Sequence, residues 1–353
     1  MSLHRSQQPS GSSGDVRWGL ASAGSTPQAD AGMVFLGGSM ASSAPRVSFA
    51  VPVRNAESTI PRCVDSILSQ TLQEIELVIS DNASTDGTRD ICLQYAARDS
   101  RVRYHRNDAD VGVLENFNRL VSLARGEYFR WIGADDWLEP EYASACVAAL
   151  DAHPRAIGVT TFQAHWDDGG QRFYREYHGP RVDSARPHER FARMLWFLQA
   201  DQFFIDPIYT LYRRDKLAST RLHRVMVSPD RILAAELSLV GPYCHVQRCL
   251  ANRHFVFHRD PARFVRPPGH PELDRSAWDR FQVLRSLVRD ARLTPYQRAY
   301  CDAAAFRFFL KDAYRAKRGL VRERLGRVAR RVGFPTERLR RGREASSLGP
   351  RRS

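Results

Sequence analysis

From Val47 onward the chain alternates short apolar runs with longer segments whose apolar residues recur every three or four positions. VSFAVPV (Val47–Val53) reads as a strand, and Thr59–Ser69, with Ile60, Val64, Ile67 and Leu68 on one face, reads as a helix. The same alternation predicts strands at Ile75–Asp81, Val102–Arg106 and Tyr128–Ile132, separated by helices at Ser84–Ala97 and Leu114–Ala124. Strands alternating with helices of this length imply a parallel sheet covered on both faces. Ligands of such sheets sit beyond the carboxyl ends of the strands.

The alternation weakens further on. A helix is expected over Glu139–Asp151, a strand over Ala156–Gln163 and an amphipathic helix over Pro187–Leu198, which suggests a mixed second half. Three more helices are expected at Phe281–Ala291, Pro295–Ala316 and Arg322–Val332. Residues 1–45 are rich in Ser, Gly and Ala, with SGSSG at Ser10–Gly14, and read as a disordered leader or an over-extended start with Met33 or Met40 as the true first residue. No apolar run approaches the ~20 residues of a membrane-spanning helix, and no charged-then-apolar signal pattern opens the chain.

Composition changes this picture mainly at the C-terminal end. The 353 residues, 43% of them hydrophobic, suffice for a sizeable core. The net charge of +14 arises entirely in Asp274–Ser353, where 22 Lys/Arg face 8 Asp/Glu; residues 1–273 are neutral. Basic helices attract phosphates without specificity, so a nucleic-acid-binding or anionic-lipid-binding protein is one function class to weigh. Specific nucleic-acid recognition is not expected, because the globular part carries carboxylates at strand ends and no nucleic-acid module. The six cysteines show no zinc-site spacing and read as reduced thiols of a cytoplasmic protein.

Two segments are candidates for chemistry. In ISDNASTDGT (Ile79–Thr88) a strand ends on Asp81 and a polar turn leads through Asp86 and Gly87 into a helix. Ser84 or Thr85 could serve there as a helix cap with Asp86 near the dipole, but Asp81 stands where the sheet delivers a ligand. In GEYFRWIGADDWLEP (Gly126–Pro140) another strand ends on Asp135 and Asp136. This pair reads either as a helix start, with Asp136 as cap and Glu139 three residues on, or as acids brought together by a divalent cation and a diphosphate. No glycine-rich phosphate loop follows the first strand, which excludes the usual dinucleotide and P-loop fingerprints.

Taken in order, VSFAVPVRNAE, ELVISDNASTDGT and NDADVGVLENFNRLVSLARGEYFRWIGADD resemble the nucleotide-binding half of inverting family 2 glycosyltransferases, over Val47–Pro140. The resemblance implies a GT-A fold, Rossmann-like, with a mixed sheet, flanking helices and here a helical basic C-terminal tail. On it Pro52, Asn55 and Glu57 line the base pocket, Asp81 recognises the base and Asp86 lies near it. Gly112, Asn116 and Asn118 match the polar loop ahead of the fourth strand, and Asp135 and Asp136 are the acids of the DxD-type motif, with Asp136 on the metal, Mg²⁺ or Mn²⁺. Many members read Asp-x-Asp-Asp there, whereas this chain has Gly133 at the first position.

The acceptor half is implied more loosely. IYTLYRRDKL (Ile208–Leu217) resembles the strand beneath the acceptor site. SPDRILAAELSLVGPYCHV (Ser228–Val246) resembles the segment carrying the general base, here Asp230. ANRHFVFHRD (Ala251–Asp260) resembles the segment whose His joins the metal shell or meets the diphosphate, with Arg253, His254 and His258 as candidates. The expected division is a glycosyltransferase domain at 46–265, split near 140 into nucleotide and acceptor halves, and a basic helical region at 266–353 whose last ~15 residues are disordered. The expected partners are a nucleoside diphosphate sugar, UDP-sugars favoured, a glycan or lipid-linked acceptor, and a peripheral membrane contact from Lys311 on. A nucleotidyltransferase or NAD-dependent enzyme on a similar sheet is the neighbouring alternative.

Overall fold

The computed structural model describes residues 44–200, 209–224, 229–254 and 277–331. The expected leader, His258 and the end of the basic tail lie outside these residues. The strands are β1 (Val47–Val53), β2 (Ile75–Asp81), β3 (Val102–Arg106), β4 (Tyr128–Trp131), β5 (Trp137–Leu138), β6 (Gly158–Trp166), β7 (Arg172–Tyr174), β8 (Leu211–Arg213) and β9 (Tyr243–His254). The helices are α1 (Ile60–Leu68), α2 (Thr88–Arg98), α3 (Val113–Leu123), α4 (Tyr142–Ala152), α5 (Pro187–Gln199), α6 (Arg214–Ala218), α7 (Pro229–Val240), α8 (Ala277–Asp290) and α9 (Pro295–Arg331).

One sheet runs through the molecule in the order β3-β2-β1-β4-β8-β6-β9-β5, with β7 paired to β6. The first four of these are parallel; β8 is antiparallel to both β4 and β6, and β9 runs parallel to β6. The expected parallel half and mixed second half are therefore both present. Because α1 and α2 carry the chain from β1 outward to β3, and α3 then returns it to the other side of β1, the strand order reverses between β1 and β4. A crevice opens at the carboxyl ends of strands flanking such a reversal.

Two-residue periodicity divides the core between the faces. Val47, Phe49, Val51 and Val53 of β1 pack with Cys63, Val64 and Ile67 of α1 and with Tyr142, Cys146 and Leu150 of α4. Ala50, Val78, Phe129 and Trp131 face the opposite way, onto Leu120 and Val121 of α3 and Leu233 and Leu237 of α7. A third cluster joins α5 and α7 to α8 and α9 through Phe191, Leu195, Ile232, Phe281, Leu284 and Phe308.

Two expectations about local structure need correction. The last two helices expected from the sequence are one helix, Pro295–Arg331. Asp136 does not cap a helix either: it precedes β5, and the next helix begins at Tyr142 after Glu141. Among the described residues no helix is long and apolar enough to cross a membrane.

Candidate active site

Two loops stand at the carboxyl ends of β1 and β2, beside the point where the strand order reverses. The β1–α1 loop is fastened to the β2–α2 loop by reciprocal hydrogen bonds. Ser84 Oγ accepts from Asn55 N at 3.0 Å, Asn55 Oδ1 accepts from Thr85 N at 2.8 Å, and Glu57 Oε2 accepts from Gly87 N at 2.7 Å. Asn55 holds φ at 52°, a left-handed conformation that asparagine tolerates better than most residues. Asp86 serves both loops: its Oδ2 accepts from Glu57 N at 3.2 Å and its Oδ1 from Thr88 N at 3.1 Å. Neither Ser84 nor Thr85 caps α2, whose cap position is Gly87 without a side-chain bond. Asn55, Glu57 and Asp86 thus brace the rim, with Pro52 half-buried beneath it.

Asp81 ends β2 with no exposed surface. Its Oδ1 accepts from Ser84 N at 2.9 Å and Ser84 Oγ at 2.6 Å; its Oδ2 accepts from Tyr104 Oη and from Arg106 Nη1, each at 2.6 Å. Burial pushes this carboxyl up, yet the donors from Ser84, Tyr104 and Arg106 outweigh burial and hold it below its ordinary range. Both oxygens are therefore engaged within the protein. The group that reaches solvent at this strand end is Arg106, with 35% of its side chain exposed. Sequence reasoning missed Tyr104 and Arg106. Their signal was the parallel register, which sets Arg106 beside Asp81 and Tyr104 beside Ile79, with the two β3 side chains on one face of the strand.

Behind the crevice, Asn116 is buried and closes on itself. Its Oδ1 accepts from Ser80 Oγ at 2.7 Å and Asn107 Nδ2 at 3.1 Å, and its Nδ2 donates to Ser80 O at 2.9 Å. Asn116 thereby ties α3 to β2. Asn118 likewise spans to His223: its Nδ2 donates to the carbonyl and its Oδ1 accepts from the amide. Gly112 opens α3 at φ 85°, where a side chain would strain the backbone.

The two adjacent acids differ sharply. Asp136 is 4% exposed; its Oδ1 accepts from His254 N at 3.0 Å, and its Oδ2 lies 3.4 Å from Arg253 Nε. Burial pushes the Asp136 carboxyl up to about 6, against the pull of Arg253. Asp135 is more open, with 23% of its side chain exposed and its Oδ2 3.7 Å from His254 Nδ1. His254 also meets Asp168 of the β6–β7 turn, Nε2 to Oδ1 at 2.9 Å. Asp136 is thus turned inward to β9, and Asp135 is the more open of the two acids.

Gly133 explains why the pair can fold so tightly. A Cβ on this residue would lie 2.8 Å from Asp136 Oδ2 and 2.9 Å from Asp135 Oδ1. The turn closes through Asp136 N, which donates to Gly133 O at 3.0 Å. Among the described residues no group of three or more His, Cys, Asp or Glu forms a ready cage for a metal ion. Two carboxylates do fit Mg²⁺ or Mn²⁺ in the form those hard ions usually take, held by one or two acids together with substrate phosphates and water.

Asp230, the expected base, stands half-buried in the first turn of α7, and burial raises its carboxyl above the ordinary range. Arg253 and His254 lie at the end of β9, against the two acids, as described.

A parallel half-sheet with a braced crevice at its reversal point, acids at the end of β4 and an antiparallel extension beyond it defines a GT-A type nucleotide-sugar fold. The likeness to residues 1–349 of S. aureus TarS, solved in complex with UDP, carries the same fold: TM-score 0.53, 16% identity, 74% of this chain and 70% of that one. Residues 48–220 match the family described as glycosyl transferase family 2. The chain is similar to the putative glycosyltransferase EpsH of Bacillus subtilis, 28% identical over 179 residues and 50% of each chain. It is also similar to a PGL/p-HBAD biosynthesis glycosyltransferase of Mycobacterium tuberculosis, 42% identical over 108 residues, 30% of this chain and 42% of that one. The chain thus spans half or less of the length of these curated relatives.

Proposed function

We propose that this domain transfers a glycosyl group from a nucleoside diphosphate sugar to a hydroxyl of a glycan or lipid-linked acceptor, with inversion at the anomeric carbon. The observation that carries the reading is the placement of Asp135 and Asp136 at the end of β4, across the β1/β4 crevice from the loops that Asn55, Glu57 and Asp86 brace. The nucleoside lies against the end of β2, where Arg106 is exposed and Asp81 fixes it; the diphosphate lies toward Asp135. UDP-sugars are favoured, since TarS has been solved with both UDP and UDP-GlcNAc.

The chemistry is a single displacement. The acceptor oxygen forms a bond to the anomeric carbon, the carbon–oxygen bond to the diphosphate breaks, and its electron pair leaves with the diphosphate. Asp230 takes the acceptor proton; burial raises its carboxyl above the ordinary range, which makes it a better base than an exposed aspartate. Asp135 would hold Mg²⁺ or Mn²⁺, with Asp136 fixing the turn behind it. When bound, the ion offsets the charge of the departing diphosphate. A basic C-terminal contact with membrane would bring the site to a lipid-linked acceptor on the cytoplasmic face.

The test is product analysis. Proton NMR of the transferred sugar should show the anomeric configuration opposite to that of the donor. Asp230→Asn should lower turnover by orders of magnitude with the donor affinity unchanged. Retention of configuration, or full turnover in the variant, would remove the proposed base.

A further inference from the structure

Helices α8 and α9 form an antiparallel hairpin whose two sides differ in kind. Its inner side is core: Leu284, Leu287, Val288, Cys301, Ala304 and Phe308 pack on α5 and α7. Its outer side carries Trp278, Phe306 and Leu310 at 49%, 47% and 51% exposure.

These residues form one surface. The seam between the helices has successive rungs at Arg285–Asp302 (3.6 Å), Phe281–Phe306 (ring centroids 5.9 Å) and Trp278–Phe309 (5.6 Å). Phe306 and Leu310 are four residues apart on α9 and so lie one turn from each other along that seam. Exposed Arg307, Lys311 and Lys317 flank them. At the other end of the seam lies a cleft of about 420 Å³ lined by Gln282, Arg285, Ser286, Arg289, Arg298 and Asp302, three cations against one anion. An apolar ridge thus grades into a basic cleft along a single exposed face.

We propose that this face seats the protein on a bilayer containing anionic lipid, with Trp278, Phe306 and Leu310 in the headgroup–acyl boundary and the arginine cleft receiving a lipid phosphate. Charge selects this occupant over a second copy of the chain. The face itself carries Arg285, Arg289, Arg298, Arg307, Lys311 and Lys317 against Asp302, so a symmetric pairing through it would set like charges against one another. An amphipathic basic helix with aromatic anchors meets the requirements of an interfacial contact, in which buried apolar area and attraction to anionic headgroups add. The surface stands independently of the transfer reaction; only its consequence, delivery of the site to a lipid-linked acceptor, rests on the proposed function.

Flotation of the full chain with vesicles is the test. Vesicles with about a third phosphatidylglycerol should bind at least ~tenfold more tightly than pure phosphatidylcholine. Roughly 0.5 M salt should weaken that binding without abolishing it. Arg307→Glu/Leu310→Ser/Lys311→Glu, all at exposed positions, should lose about tenfold or more in vesicle affinity with melting temperature and UDP binding unchanged. Arg285→Ala/Arg289→Ala should lose the preference for the anionic vesicles. Inorganic phosphate at millimolar concentration should not release the protein, whereas release would identify a soluble phosphate as the cleft's ligand and overturn the proposal. Equal binding to both vesicle types, an unaffected triple variant, or a concentration-dependent dimer that the triple variant abolishes would each overturn it as well. UDP titration on the same preparations reads the nucleotide site separately, so loss of one property leaves the other standing.

Discussion

Gly133→Asp restores the acid that many family 2 members carry at this position, and on composition alone it should strengthen metal binding. The geometry of this chain points the other way. A Cβ at residue 133 falls 2.8 Å from Asp136 Oδ2 and 2.9 Å from Asp135 Oδ1, when ordinary contact begins near ~3.4 Å, so each carboxylate must retreat by about half an ångström. Asp135 has room to do so. Asp136 does not, because it is buried with its oxygens toward His254 N and Arg253. Overpacking of this kind costs about 1–3 kcal/mol, which for a domain of this size lowers the melting temperature by roughly 2–10 °C. A third carboxylate beside two others adds like-charge repulsion, and misplacement of the acids by half an ångström or more should lower kcat/KM by about 10- to 100-fold. Gly133→Ala separates the two effects, since it introduces the clash without the charge and should lose nearly as much stability. Differential scanning fluorimetry and initial-rate kinetics measure both. A Gly133→Asp enzyme with unchanged melting temperature and higher activity would refute the argument that this glycine is required by the folded-back acids.

Three further outcomes follow from the carboxylates. Asp136 has a folded pKa of about 6, above its ordinary 3.8, so between those values the folded chain binds more protons than the unfolded one. Its ionisation therefore lowers stability as pH rises through that window, and Asp136→Asn should flatten this part of the stability–pH curve; urea titrations from pH 4 to 7 measure it. Asp81 has the opposite sign: its lowered carboxyl contributes stability that is present above the unfolded pKa and lost as pH falls through the folded one. Tyr104→Phe deletes one of its charge-assisted hydrogen bonds, so about 1–2 kcal/mol should disappear at neutral pH and less at acid pH. Asp230→Asn should not lower the melting temperature and should leave UDP affinity unchanged while abolishing most turnover, and a parallel loss of donor affinity would place Asp230 in the donor pocket instead.

Much of the parallel half was legible because β1, β2 and α1 repeat their apolar positions at unambiguous periods and end on polar turns. What the sequence could not show was how each acid is held. Asp81 and Asp136 both stand at strand ends, but only the register with β3 brings Arg106 and Tyr104 onto the first, and only the long-range pairing of β5 with β9 brings Arg253 and His254 onto the second. A two-residue strand such as Trp137–Leu138 has no period to read, so the helix-cap reading of Asp136 was the natural local inference. Similarly, a break was expected between Ala316 and Arg322, yet α9 continues through it and through Gly319, although an interior glycine costs a helix about 1 kcal/mol. Asn116 matched a family position but is consumed by Ser80 and Asn107, a distinction between ligand-facing and structural amides that depends on packing alone.

A nucleoside diphosphate bound beside β1 and β4, with its charge met at Asp135, is tested by calorimetric titration of UDP and of UDP-GlcNAc, with and without Mn²⁺, into the wild type and Asp135→Asn. Mn²⁺ should tighten UDP binding in the wild type by about tenfold or more, and that enhancement should vanish in Asp135→Asn while metal-free UDP binding persists. Equal Mn²⁺ enhancement in both proteins, or no binding of any uridine nucleotide, GDP-sugar or dTDP-sugar to either, would contradict it.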